Sequence, residues 1–435
     1  MKTIKQISKI FLAAIIIAIS INSSFAQERK ETYEKNFPVN STSDLSFSCY
    51  DTDLKVNTWQ KNEVKLMGEI IIEGGDKEDQ DELIDLFKTP EVSQSSNSLS
   101  IVTKMAKSTI GFGPFMSITL VNGKKINIKK FKVNYTLWVP ENIALNLKSK
   151  YNDIDIAALK GDVNFDLYEV DLTIASFKNG QFNMKYSSAD IGNGETAKLD
   201  VYECEIEIKD INTCNLNTKY SEFNIENAGK ITLGSYEDEF EIMNLTQGLT
   251  GQAKYSNFKI EGDVNYIKID VYESDIEAKN IKELAYTSKY SSFKALNIGS
   301  AKCESLYETE IYAANVGDFS CTESKYDNIE FESISKSLIF TSAYELDLNI
   351  QNAKSSFENF KGDFKYGSVT MPLDPALEFS LKFDTKYGDV DFPKNRLKVK
   401  DMNFGDSKKY FEGQTSDNPP CKIEFTAYET DFILH

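Results

Sequence analysis

The residue pattern with the most chemical potential is a tyrosine followed by an acid. It recurs at Tyr168-Glu169, Tyr202-Glu203, Tyr236-Glu237, Tyr272-Glu273, Tyr307-Glu308 and Tyr344-Glu345. A row of aromatic faces flanked by carboxylates could bind a repetitive polymer such as a glycan, or Ca²⁺; as bare architecture it would line a solvated sheet and keep it from aggregating. No Asp-x-Asp-x-Asp-Gly loop or glycine-rich nonapeptide supports a Ca²⁺ site. Other chemistry is scarce. The one histidine, His435, is the last residue, so an internal Ser-His-Asp triad, a His-Cys pair and a multi-histidine zinc site are excluded within one chain. Walker-type and dinucleotide-binding glycine motifs are absent, and no cofactor is expected. Carboxylate pairs suited to glycoside cleavage recur in every repeat, so none stands out as tuned. With only Arg29 and Arg396, the chain also has few groups for a uronate.

The elements that carry these residues repeat. A second tyrosine class, preceded by lysine, alternates with the first: Tyr151, Tyr186, Tyr220, Tyr255, Tyr290 and Tyr326. Successive tyrosines from Tyr151 to Tyr344 are 16 to 19 residues apart, with a mean of about 17.5, and the double unit is about 35 residues. Apolar residues alternate with polar ones on both sides of each tyrosine, as in Cys214, Leu216 and Thr218 before Tyr220, and Phe223 and Ile225 after it. This is strand periodicity with one buried face, and the odd step past the tyrosine requires a bend. No unit holds a helical period. Glycine-rich triplets such as Lys160-Gly161-Asp162, Gly192-Asn193-Gly194, Asn227-Ala228-Gly229, Glu261-Gly262-Asp263 and Val316-Gly317-Asp318 read as turns.

An all-β, single-chain, parallel β-helix-like solenoid fits best, since propeller blades need longer units. A coil of 17–18 residues is preferred to one of 35, because lysine and glutamate units then alternate and their charges can pair across coils, whereas a 35-residue coil would stack like charges. Tyr50, Tyr366, Tyr387 and Tyr428-Glu429 extend the pattern toward both ends. The expected organisation is a signal peptide over 1–26, N-terminal strands and a cap or insertion over 27–140, and the repeat array over 141–435. Within the cap, residues 76–88 read as a short helix capped by Asp76 and stopped by Pro90, and 63–72, 99–103 and 132–139 read as strands. Residues 395–420 read as a loop.

The first segment has Lys2, Lys5 and Lys9, an apolar run from Phe11 to Ile21, and small residues at Ser24 and Ala26, which together predict export and cleavage before Gln27. No later stretch is long and apolar enough to span a membrane as a helix. Asp and Glu number 67 against 49 Lys and Arg, a net charge of −18, which disfavours nucleic acid as a partner. The six cysteines include no CxxC, so a zinc ribbon is not expected, and buried thiols are the simpler reading.

Three stretches, Asn36-Phe37-Pro38-Val39, Asp53-Leu54-Lys55-Val56-Asn57-Thr58-Trp59 and Val133-Asn134-Tyr135-Thr136-Leu137-Trp138-Val139-Pro140, precede repeats such as Lys386-Tyr387-Gly388-Asp389-Val390. This frame resembles the exported β-strand-repeat proteins of the DUF4097 type, putative adhesins common in Bacteroidota. It is distantly similar to the head domain of putative autotransporter adhesins. The resemblance implies a β-solenoid at the cell envelope, periplasmic, outer-surface or secreted, and supplies no catalytic residues. The chain departs from it by using Tyr-Glu where relatives use Gly-Asp. The expectation is therefore a non-enzymatic scaffold whose partner is an envelope or surface ligand, a glycan or a protein. A β-helix polysaccharide lyase or glycosidase and an envelope-sensing or stress-related scaffold are the alternatives.

Overall fold

The structure, a computed structural model, describes residues 28–112 and 115–435. The expected signal segment lies outside the described residues. Among the described residues the chain is nearly all β with a single α-helix, and its repeats form a β-solenoid. It divides into two compact units, the second starting at Asn179.

In the first unit, Ala144–Ile156 is the reference coil. Its first half pairs in parallel with Asp44–Tyr50, and its second half with Asp53–Trp59. Asp44–Tyr50 is covered by Ser98–Val102 in parallel, and that strand by Glu91–Gln94 antiparallel. Asp53–Trp59 is covered by Lys130–Pro140, then Glu63–Glu73, then Glu28–Pro38. The helix spans Lys77–Lys88, and the Asp76 carboxylate accepts the Asp79 N–H at 2.8 Å to cap it. Its buried face is Leu83, Ile84 and Phe87, with the Phe87 ring 4.8 Å from that of Tyr33. A three-stranded antiparallel sheet, Ala106–Phe112, Phe115–Leu120 and Lys125–Ile128, had no clear signal in the alternation.

In the second unit, from Ser188 to Tyr344, each coil is one long strand. Ser188–Tyr202, Glu205–Lys219, Glu222–Tyr236 and their successors to Asn328–Tyr344 pair in parallel with the next. The advance per coil is 17 residues at Glu205↔Glu222 and 18 at Glu239↔Asn257, so the shorter coil is the correct one. Like residues stack inside: Phe223, Phe240 and Phe258 lie nearly parallel with centroids 4.9 and 4.8 Å apart, the spacing of neighbouring strands. All six cysteines are buried free thiols.

Two corners shape each coil. At one, the chain enters the left-handed region. All sixteen non-glycine residues of positive φ among the described residues lie there, with φ from 44° to 62°, alternately Tyr and Glu with Asp51 at the first. This single residue breaks the alternation of sides, which is why burial resumes at an odd step after the lysine-class tyrosines. At the other corner outward residues fall together twice, at Lys209 and Asp210 and again at Asn212 and Thr213 with Ile211 buried between them, and the strand bends without leaving the ladder.

Four of the glycine triplets expected as turns sit within these continuous strands, because their backbones still pair: Asn193↔Asp210↔Asn227↔Asn244 run coil to coil. What looked like turn chemistry is an amide ladder. The Nδ2 of Asn280 donates to Asp263 at 2.6 Å, that of Asn297 to Asn280 at 2.5 Å, and that of Asn315 to Asn297 at 2.9 Å. Glycine is required where coils approach closely: a Cβ on Gly317 would sit 2.2 Å from the carbonyl oxygen of Gly299. The expected loop at 395–420 is instead largely a hairpin of Lys398–Phe404 and Lys408–Gln414, laid antiparallel on Phe379–Lys386. The final strand, Cys421–Ile433, inserts between Asn359–Thr370 and Phe379–Lys386.

Candidate functional site

The site begins with the left-handed corner. The residue there alternates between Tyr and Glu, and the residue before it alternates between Lys and Tyr, since Tyr202 pairs with Lys219 and Lys219 with Tyr236. Every coil thus presents one tyrosine, in two columns by turns. Rings in a single column would stack face to face; displaced by one residue, each meets the next edge to face, the arrangement favoured by the ring quadrupole.

The row in the second unit runs Tyr186, Tyr202, Tyr220, Tyr236, Tyr255, Tyr272, Tyr290, Tyr307, Tyr326, Tyr344, Tyr366, Tyr428 and Tyr387. Centroid separations stay between 5.2 and 5.7 Å and interplanar angles between 65° and 90°. In the first unit Tyr151 and Tyr168 make the same contact at 5.7 Å.

The six tyrosines singled out from the sequence, Tyr168, Tyr202, Tyr236, Tyr272, Tyr307 and Tyr344, are half-buried, and their glutamates 169, 203, 237, 273, 308 and 345 are exposed. The sequence reading missed the more exposed half of the row: Tyr151 at 52%, Tyr186, Tyr220, Tyr255, Tyr290 and Tyr326. The missed signal was the common spacing of both classes, which already required one tyrosine per coil. The expected lysine–glutamate pairing takes a different form. Lys150 lies over the Tyr168 ring at 4.9 Å, and Lys289 over Tyr290 at 4.9 Å and Tyr307 at 5.2 Å. The ammonium finds a ring face one residue away before it reaches a carboxylate. The neighbouring glutamate carboxylates instead raise the phenols of Tyr202, Tyr236 and Tyr428, and that of Tyr272 to about 12.

Behind the row is a buried polar column that alternation alone could not reveal. From Tyr220 to Tyr326 the residue after each corner is small and polar: Ser221, Asp238, Ser256, Ser274, Ser291, Thr309 and Asp327 are all buried. In most of these coils the N–H donates to the next coil's side-chain oxygen. Ser221 N–H reaches Asp238 at 2.9 Å, Asp238 N–H reaches Ser256 Oγ at 3.1 Å, and Ser256 N–H reaches Ser274 Oγ at 3.0 Å. The hydroxyls in turn donate to the carbonyl two residues back, as Ser256 does to Lys254 at 2.9 Å. These contacts satisfy backbone groups that the left-handed residue turns inward. The legible signal was the small polar residue that follows Lys-Tyr or Tyr-Glu in most repeats. Burial pushes the carboxyls of Asp238 and Asp327 up, Asp327 to about 6.

Beside the row, in the second unit, the outward residues of the next strand segment line a shallow groove of about 500 Å³ that includes Glu222, Glu239, Glu241, Asp275 and Glu277, with Lys259 and Lys294. Among the described residues, no three His, Cys, Asp or Glu side chains converge as a metal set, and no helix is long and apolar enough to cross a membrane.

No protein-family model matches the chain, and no curated protein matches its sequence. The DUF4097 resemblance therefore has no family-model match behind it. Six chains of solved structures match, among them these three. A putative cell adhesion protein from Clostridium sporogenes is 9% identical over 93% of this chain and 99% of its own, at a TM-score of 0.17. A putative adhesin from Bacteroides fragilis is 12% identical over 67% of this chain and 97% of its own, at 0.17. A putative lipid binding protein from Parabacteroides distasonis is 12% identical over 78% of this chain and 96% of its own, at 0.18. At such TM-scores the matches assign this chain no ligand.

Proposed function

We propose that the chain is an exported, non-enzymatic β-solenoid scaffold of the DUF4097 type, an adhesin-like binding protein of the cell envelope. In this reading residues 27–140 cap the array and residues 141–435 display it. The observation that carries the reading is the unbroken edge-to-face tyrosine row in the second unit, with its more exposed rings on every other coil. Such a row offers apolar faces and phenol and carboxylate acceptors at a regular interval of two coils, about 9.6 Å at ~4.8 Å per strand. That suits an extended glycan or protein surface better than a compact small molecule. An enzyme such as a polysaccharide lyase or glycosidase fits less well. The two carboxyls raised by burial, Asp238 and Asp327, face inward and are bonded to Ser, Thr and backbone donors.

The test is a glycan and cell-surface binding screen of the mature chain, comparing two variants. One replaces the exposed Tyr220, Tyr255, Tyr290 and Tyr326 with Ser; the other replaces the half-buried Tyr236, Tyr272, Tyr307 and Tyr344. Loss of binding in the exposed set with an unchanged circular dichroism spectrum supports the row. Binding that survives in both folded variants overturns it.

A further inference from the structure

Among the described strands that pair on one side only, one in each unit lies in a segment of marked charge, and the two charges are opposite. In the second unit the outermost strand of the hairpin, Lys398–Phe404, pairs with Lys408–Gln414 on one side only, and every one of its residues is exposed. Its apolar residues Val399, Met402 and Phe404 stand 48%, 44% and 45% exposed. Val399 and Met402 pair with the buried Gly413 and Phe411, so they lie on the core-facing side of the sheet, where the stack ends. Residues 394–409 hold six basic side chains against two acidic, in a chain of net charge −18. Lys398 is paired with Asp417 at 3.3 Å, but Lys400, carried on a bulge, has no ion-pair partner among the described residues.

In the first unit the outermost strand Glu91–Gln94 also pairs on one side only, with Ser98–Val102, and is exposed throughout. It follows directly on the helix, and residues 76–94 hold seven acidic side chains against two basic. Its direction is opposite to the coil strand beneath it, whereas Lys398–Phe404 runs with the coil strand beneath it, since two antiparallel steps restore the sense. The two edges are therefore suited to an antiparallel pair.

We propose that the open edge at Lys398–Phe404 docks on the open edge at Glu91–Gln94 of a second copy of this chain, joining copies by strand addition. An open edge is a template for a further strand, and its hydrogen bonds supply affinity while charge selects the partner. Pairing two copies of the basic edge would bring Lys398 and Lys400 against their own counterparts. Pairing unlike edges sets Lys400 toward Glu91 and covers Val399, Met402 and Phe404. Because the two surfaces differ, the contact is heterologous and repeats, so the product is an open chain of copies and not a closed dimer. This inference does not rest on the tyrosine row.

The test is sedimentation velocity on the mature chain over a concentration series at low and high salt, with negative-stain imaging. The expected result is a ladder of linear oligomers that shortens with salt. The double variant Lys398→Glu, Lys400→Glu should weaken association at least tenfold, and Glu91→Lys should weaken it in the same direction. Mixing the two variants, so that reversed edges meet, should restore assembly between them. A chain that stays monomeric throughout, or variants that associate as the wild type does, overturns the proposal. So does a monomer that instead co-sediments with anionic phospholipid vesicles through Lys398 and Lys400, because the hairpin would then face a lipid surface.

Discussion

The two corners of a coil solve the same problem by different means. At the tyrosine corner a single left-handed residue reverses the chain, and the inward-turned backbone is satisfied by buried Ser, Thr and Asp side chains. At the asparagine corner the backbone stays in its ladder, and outward amides bond coil to coil. The first corner tolerates large side chains because they point into solvent. The second tolerates almost none where Gly229 and Gly317 pass the carbonyls of the coil below. The tyrosine corner is thus free to carry function on its outer side, while its stability resides in residues no ligand could touch.

The sharpest way to break the comparison is Asp238→Ala. It removes the acceptor for the hydroxyls of Thr218 and Ser235 and for the N–H groups of Ser221 and Tyr236. Urea unfolding should show a loss of ~3 kcal/mol or more, since buried donors are left unpaired. Gly317→Ala at the other corner should cost about 2 kcal/mol by overpacking, with the Tyr row intact by fluorescence.

A pH series separates the corners further. Burial raises the Asp327 carboxyl from 3.8 to about 6, so the folded state holds its proton more tightly than the unfolded chain does. That contribution is full below about pH 4 and is lost as pH rises through about 6. Stability relative to Asp327→Ser should therefore fall by roughly 2–3 kcal/mol across that window and then level off. A flat difference would mean that the carboxyl ionises freely in the fold.

Smaller effects should follow on the exposed sides. Asn280→Ala removes one rung of the amide ladder and should cost about 1 kcal/mol. Glu237→Gly, read by the same urea midpoints, should be neutral or gain up to ~0.5 kcal/mol. Relief of the left-handed residue then slightly exceeds the entropy glycine adds to the unfolded chain. The same residue type is forbidden to leave one corner and welcome at the other.

The tyrosine spacing of 16 to 19 residues and the strict alternation around each tyrosine were legible because a coil repeats its inward positions, so Phe223, Phe240 and Phe258 declare themselves by position alone. The helix was legible from Asp76 and Pro90. The buried column was not, because serine and aspartate inside a β-protein look the same on paper as serine and aspartate outside it. The asparagine corner was misread because glycine close to Asn or Asp marks a turn when isolated, and only the adjacent coil converts such a segment into a ladder.

The sequence by itself determined the all-β repeat and the regular recurrence of its tyrosines, since these are periodic and local, while the strand register decided between a coil of 17–18 residues and one of 35. Only the tertiary structure decided which strand neighbours which at the end of the array. Cys421–Ile433, last in the sequence, lies between two earlier strands, so Tyr428 sits between Tyr366 and Tyr387 in the row. A parallel stack has no turn that fixes the order of its coils, and any coil with matching inward residues can fill the place. The fit of Phe425 against Phe360, Phe383 and Phe432 selects this one.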